Sequence, residues 1–149
     1  MITAISCVAN DGVLMKPNII KSITNTDTGA ITETQPTEVR QVLSKSTAEQ
    51  VKSMMESVVL EGTGKNVQVS GYSIGGKSGT SEPTETNKDE GYVSSFVAIS
   101  PIEDSQVVIL LTLYDPQNKE YGYQGGSVAA PVVSQMLSEI LPYLGIPSD

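Results

Sequence analysis

Histidine is absent from this 149-residue sequence, and cysteine occurs once, at Cys7. Without histidine there is no Ser-His-Asp triad, no Cys-His pair and no histidine-based metal site. A single cysteine allows no disulfide within the chain. Cys7 sits on an apolar helical pattern, where a free thiol is ordinarily core rather than nucleophile. Positive charge is scarce: nine Lys and Arg stand against 17 Asp and Glu, for a formal net charge of −8. That balance argues against nucleic acid or an anionic membrane surface as the main partner. No run approaches the roughly 20 apolar residues of a membrane span. The start carries no signal-peptide pattern. No spaced carboxylate cluster resembles a calcium loop, and internal repeats are missing. The length suits one domain with a real core.

The chemistry-bearing stretch is Gly75-Gly76-Lys77-Ser78-Gly79-Thr80-Ser81-Glu82. It puts one cation, three hydroxyls and three glycines into eight residues. If extended, it places Lys77, Gly79 and Ser81 on one face, with Ser78 and Thr80 on the other. The glycines leave the backbone bare for close approach of a ligand. A Lys charge beside hydroxyl donors suits a carboxylate, and a free backbone N–H can receive a developing oxyanion. The same composition also fits an ordinary loop. A phosphate-loop pattern is formally met from Gly71 to Ser78. Such a loop must run straight into a helix, which Gly79 and Ser81-Glu82-Pro83 oppose.

Around this stretch the elements read in order. Met1 to Ala9 predicts a helix without an N-cap, as if begun partway along, and Asn10-Asp11-Gly12 stops it. Val13 to Thr24, interrupted by Pro17, and Ala30 to Thr34 predict a hairpin around Asn25–Gly29. Val39 to Leu43 is a further short strand. Ser46-Thr47-Ala48-Glu49 predicts a capping box. The helix behind it carries Val51, Met54, Met55, Val58 and Val59 as a buried stripe, and Gly62 closes it. Lys65 reads as a solvated loop charge. Pro83 to Gly91 is a polar connection. Tyr92–Ile99 and Gln106–Tyr114 predict two more strands. The run Val107 to Leu111 has the apolar character of a strand buried on both faces. Short links favour an antiparallel meander. A long helix capped by Gly126 or Ser127 follows to about Leu144, with Val133, Met136, Leu137, Ile140, Leu141 and Leu144 on one face. The expected fold is α+β: a three-stranded antiparallel meander packed by the long C-terminal helix, with a helix and hairpin region before it.

Laid out this way, the chain resembles the C-terminal part of the transpeptidase domain of a penicillin-binding protein, most of all the monofunctional class B type, with the sporulation-specific kind as one candidate within it. The resemblance runs through Ala9-Asn10-Asp11-Gly12-Val13 and Lys16-Pro17 to Gly62-Thr63-Gly64-Lys65. It continues through Gly76-Lys77-Ser78-Gly79-Thr80-Ser81, Ser95-Phe96-Val97-Ala98, Asp115-Pro116, Gly125-Gly126, Ala129-Ala130-Pro131 and Tyr143-Leu144-Gly145. Of the family's three motifs, Lys-Ser/Thr-Gly is present. No serine has Lys three positions later or Asn two positions later. Residues 1–149 therefore read as one partial transpeptidase domain, whose Ser-x-x-Lys and Ser-x-Asn motifs lie upstream.

The resemblance implies a peptidoglycan D,D-transpeptidase that crosslinks stem peptides through a serine acyl-enzyme, without metal or cofactor. It implies D-Ala-D-Ala stems and β-lactam antibiotics as ligands. Lys77 would supply positive potential near the upstream serines. Ser78 and Thr80 would hold the substrate carboxylate, and the Thr80 N–H would form half of the oxyanion hole. Gly79 would keep the strand bare, with Ser81 next in line. The chain by itself would be inactive. The whole protein would work outside the cytoplasmic membrane on an N-terminal anchor, while this stretch is soluble. A β-lactam sensor module and an inert assembly domain are the competing readings. The strand at 106–114 is also expected to pair with another copy along its uncovered edge.

Overall fold

The computed structural model describes residues 1–85, 91–117 and 120–148. The expected connection from Pro83 to Gly91 thus lies partly outside the described residues. Helix α1 (Ile2–Ala9) ends at Asn10, and Asp11 and Gly12 turn the chain with φ of 51° and 85°. Strand β1 (Val13–Met15) pairs antiparallel with β4 (Glu38–Gln41), Val13 opposite Gln41. Between them β2 (Ser22–Thr24) and β3 (Ile31–Glu33) form a hairpin. The side chain of Asn25 fixes its turn by accepting from the N–H groups of Asp27 and Thr28. The strand expected from Val13 to Thr24 is therefore two short ones, split around Pro17, which offers no N–H to a ladder.

Helix α2 (Lys45–Leu60) starts two residues earlier than the capping box suggests. Ser44 is the N-cap: its backbone is extended, and its hydroxyl accepts from the Thr47 N–H at 3.1 Å. The buried face is Ala48, Lys52, Met55 and Val59. Met55 and Val59 of the expected stripe are on it, but Met54 is 63% exposed. Lys52 takes a core position instead, and its ammonium reaches Asp11 at 3.4 Å. Lys45 binds the other Asp11 oxygen at 2.9 Å.

The Lys45 hydrogen bond, with help from Lys52, holds the Asp11 carboxyl below its usual range against the opposing effect of desolvation. A depressed folded-state pKa gives stability that is present above the ordinary Asp value of about 3.9. That stability is lost as pH falls through the lower folded value. Replacing Asp11→Asn should flatten the acid limb of a stability–pH curve below about pH 4. Urea denaturation at stepped pH checks this. An unchanged limb would show that the carboxylate makes no such contribution.

The three-stranded sheet has the expected meander order, β5 (Gly75–Ser81), β6 (Val93–Ser100), β7 (Val107–Tyr114), all antiparallel. Lys77 faces Val97, Thr80 faces Ser94, and Phe96 faces Leu111. Central β6 is the most buried strand. Its alternation feeds two cores. Phe96 and Ala98 pack with Val133, Leu137 and Leu141, while Val97 and Ile99 pack with Val8 and Met55. Helices thus cover both faces of the sheet. β7 departs from expectation: only Ile109 is buried and the rest of the apolar run is half-covered. It is the outer strand, so it lacks a neighbour on one side.

The expected long C-terminal helix is broken. A single turn, α3 (Gly125–Val128), precedes α4 (Ala130–Tyr143), and Ala129 between them makes no side-chain cap. Pro131 falls in the first turn of α4, where its missing N–H is harmless. Ala130, Val133, Leu137 and Leu141 are buried, whereas Met136 and Leu144 are 37% and 56% exposed. Among the described residues no helix is long and apolar enough to cross a membrane.

Candidate functional site

Among the described residues β5 is an outer strand, paired only with β6. Its first two glycines serve packing rather than ligand approach. A Cβ at Gly75 would lie 2.6 Å from Ile102 Cδ1, and one at Gly76 would lie 2.5 Å from the Phe96 ring. Gly79 is tight as well, with Ser95 Oγ 2.7 Å from the added carbon. The strand alternation then divides the polar residues. Lys77, Gly79 and Ser81 follow Gly75, on the side where α2 packs. Ser78, Thr80 and Glu82 follow Gly76.

This second face lines a cleft of about 530 Å³. Its opposite wall comes from residues far along the chain: the loop after α2 with Thr63 and Lys65, and the segment Tyr123–Gly126. Thr63 Oγ1 lies 3.2 Å from Ser78 Oγ. The Gly125 N–H donates to Thr80 Oγ1 at 3.1 Å, so that hydroxyl still has its own proton to give. Asn66 ties the two wall segments together by donating to the Gly126 carbonyl at 2.9 Å. The Ser94 hydroxyl donates to the Tyr123 carbonyl. Tyr123 also stacks on Tyr92, with ring centroids 3.7 Å apart. The phenol of Tyr92 is raised above its usual pKa, chiefly by its hydrogen bond with Tyr123.

The structure therefore brings Ser78 and Thr80 together and does not bring Lys77, Gly79 or Ser81 into the same cleft. Lys77 is exposed, and its ammonium donates to the Ser78 carbonyl at 2.8 Å. Lys65 is exposed, as its reading as a solvated charge expects, and it also lines the cleft. Thr63, Tyr123 and Gln124 were also missed. Their only sequence signals are the Gly62-Thr63-Gly64-Lys65 turn and the Gly- and Tyr-rich run before α3. Among the described residues, the cleft offers a row of hydroxyls and one cation, Lys65, with the Glu82 carboxylate also on its lining, an arrangement that suits a small anion on the hydroxyl side. Among the described residues no group of His, Cys, Asp and Glu could hold a metal ion.

Comparison with known proteins identifies the family and the fold. The Penicillin binding protein transpeptidase domain matches residues 1–138. The Stage V sporulation protein D of Bacillus subtilis is 34% identical over 148 residues, covering 97% of this chain and 23% of that protein. The Probable peptidoglycan D,D-transpeptidase PbpC of Pseudomonas aeruginosa is 31% identical over 98% of the chain and 24% of its own length. The chain thus spans about a quarter of the curated relatives it matches. Penicillin binding protein 3 of Mycobacterium tuberculosis, solved in complex with ampicillin, superposes with a TM-score of 0.84 at 28% identity. That match covers 99% of this chain and 35% of the solved one. The chain belongs to the penicillin-binding protein transpeptidase domain family.

Proposed function

We propose that this chain supplies the carboxylate- and oxyanion-binding strand of a peptidoglycan D,D-transpeptidase, as one part of a transpeptidase domain. The single observation that carries the reading is β5 itself, an outer strand holding Lys-Ser-Gly-Thr with Ser78 and Thr80 on one cleft wall. The nucleophilic serine lies outside residues 1–149. Its oxygen attacks the carbonyl carbon of a D-Ala-D-Ala bond, the C–N bond breaks, and D-Ala leaves with a proton. An amine of a second stem then attacks the ester carbon, forms the new amide, and returns the proton to the serine oxygen. The Ser78 and Thr80 hydroxyls hold the terminal carboxylate of the donor. The Thr80 N–H stabilises the oxyanion, an interaction typically worth about 3 kcal/mol. Lys77, on the opposite side of β5, raises the positive potential where the missing serine motifs would pack. Penicillins occupy the donor's place and acylate the same serine.

The test has two arms. Intact mass after incubation with penicillin should show no adduct on this chain. Titration with N-acetyl-D-Ala-D-Ala, followed by amide NMR, should shift Ser78 and Thr80. A stoichiometric adduct would place the nucleophile inside the chain and overturn the division of labour. Silence at Ser78 and Thr80 with millimolar dipeptide would overturn the site.

The whole protein, on this reading, works outside the cytoplasmic membrane and is held there by an anchor beyond these residues. The outer edge of β7 is proposed to pair with a second copy when nothing else covers it. A monomer by light scattering at high concentration would end that proposal.

A further inference from the structure

Resting on the site reading above, we infer that Lys65, not Lys77, is the cation that meets the substrate carboxylate in the cleft. The two lysines lie on different sides of β5. Lys65 lines the hollow that contains Ser78 and Thr80, whereas Lys77 is turned to the Ser78 carbonyl. Two further lysines are committed elsewhere, since Lys45 and Lys52 both bind Asp11.

The cleft also has a direction. The Thr63–Ser78 contact at 3.2 Å seats the loop bearing Lys65 beside Ser78. Glu82, the one carboxylate among the described residues that line the cleft, lies four residues on, just past the end of β5, roughly 13 Å away at about 3.3 Å per residue. One end of the cleft is therefore cationic and hydroxyl-rich, and the other is anionic. A carboxylate settles at the Ser78 end, where Thr63, Ser78 and Thr80 offer hydroxyls and Lys65 offers charge. Asn66 is held by its bond to Gly126 and stiffens this wall. On a chain with net charge −8, such a local cation favours the approach of an anionic peptide.

The test compares N-acetyl-D-Ala-D-Ala with its C-terminal amide, each titrated against the chain by amide NMR. Lys65→Gln should weaken the acid about fivefold, the upper range for one partly solvated ion pair. It should leave the amide unchanged. Lys65→Arg should restore the acid, and Lys21→Gln, on the distant hairpin, should match the unsubstituted chain. Added salt should bring the unsubstituted chain down to the Lys65→Gln level. Equal binding of the acid by Lys65→Gln and the unsubstituted chain would overturn the assignment. So would an equal loss for acid and amide, which marks a structural effect. If the unsubstituted chain itself shows no Ser78 and Thr80 shifts with the acid, the site reading falls first and Lys65 with it.

Discussion

Phe96→Ala should cost this protein about 4 kcal/mol of stability, the upper part of the range for large-to-small core substitutions. The ring is fully buried at the centre of the sheet and packs in the core that α4 closes. It also lies over Gly76, whose Cβ would come within 2.5 Å of it. Removing the ring empties space between β5 and α4 that Val133 and Leu137 can refill only in part. Domains of this size are stable by about 5–15 kcal/mol, so the variant sits near the edge of folding. A midpoint lower by roughly 12 °C follows from about 3 °C per kcal/mol. Thermal melts followed by circular dichroism check it, and a loss below 1 kcal/mol would mean that the ring does not carry the core. The Gly76 contact adds a sign test. Gly76→Ala alone overpacks the ring. In the Phe96→Ala background the ring contacts are gone and only the Val97 carbonyl, 2.9 Å away, still opposes the methyl, so the two changes should combine to less than their sum.

The elements that were legible in the sequence are those set by short-range periodicity. The strands β6 and β7 and the helices α2 and α4 follow from apolar spacing and turn residues, whereas β5, which holds no large apolar residue, fits a loop as well as a strand until its pairing with β6 is seen. The errors have a common cause. Met54, Met136 and Leu144 fit a helical stripe, but how wide a stripe is buried depends on what packs against it. Met54 and Leu144 fall outside the covered arc. Ser44 and Ser46 are both chemically able to cap, and backbone geometry at Ser44 decides between them. Lys52 is buried on α2 beside a partner, Asp11, that lies 41 positions earlier, which no local pattern shows. The site was half legible for the same reason. Ser78 and Thr80 declare themselves by alternation along one strand. Their opposite wall is built by contacts spanning 15, 45 and 60 residues, which no local pattern encodes. Membership of the family was legible from the ordered motifs, while the face taken by Lys65 came only from the fold.

Gly125→Ala should damage both fold and site, because this glycine is where the cleft wall meets the sheet. A Cβ there would lie 2.3 Å from the Ser95 carbonyl oxygen and 2.5 Å from that of Gly79. Both are backbone atoms of paired strands, so neither can swing aside as a side chain would. The turn α3 must move outward, at about 2 kcal/mol for overpacking of this kind. That movement also pulls the Gly125 N–H away from Thr80 Oγ1, now at 3.1 Å. The Thr80 hydroxyl then loses the contact that fixes its rotamer, and its proton is no longer aimed into the cleft. Binding of N-acetyl-D-Ala-D-Ala should fall about tenfold, the equivalent of roughly 1.4 kcal/mol, for one hydrogen bond to the carboxylate made less often. Thr80→Val separates the two effects. It keeps nearly the same shape but removes the hydroxyl and the acceptor of the Gly125 N–H, so it should lose dipeptide binding with a stability loss of about 1 kcal/mol, smaller than that of Gly125→Ala. Denaturation midpoints and NMR titrations on both variants decide the matter. If Gly125→Ala melts lower but binds normally, the amide is packing alone and Thr80 needs no such support. If both variants lose binding while only Gly125→Ala loses much stability, the glycine is there because the site requires a backbone N–H where no side chain fits.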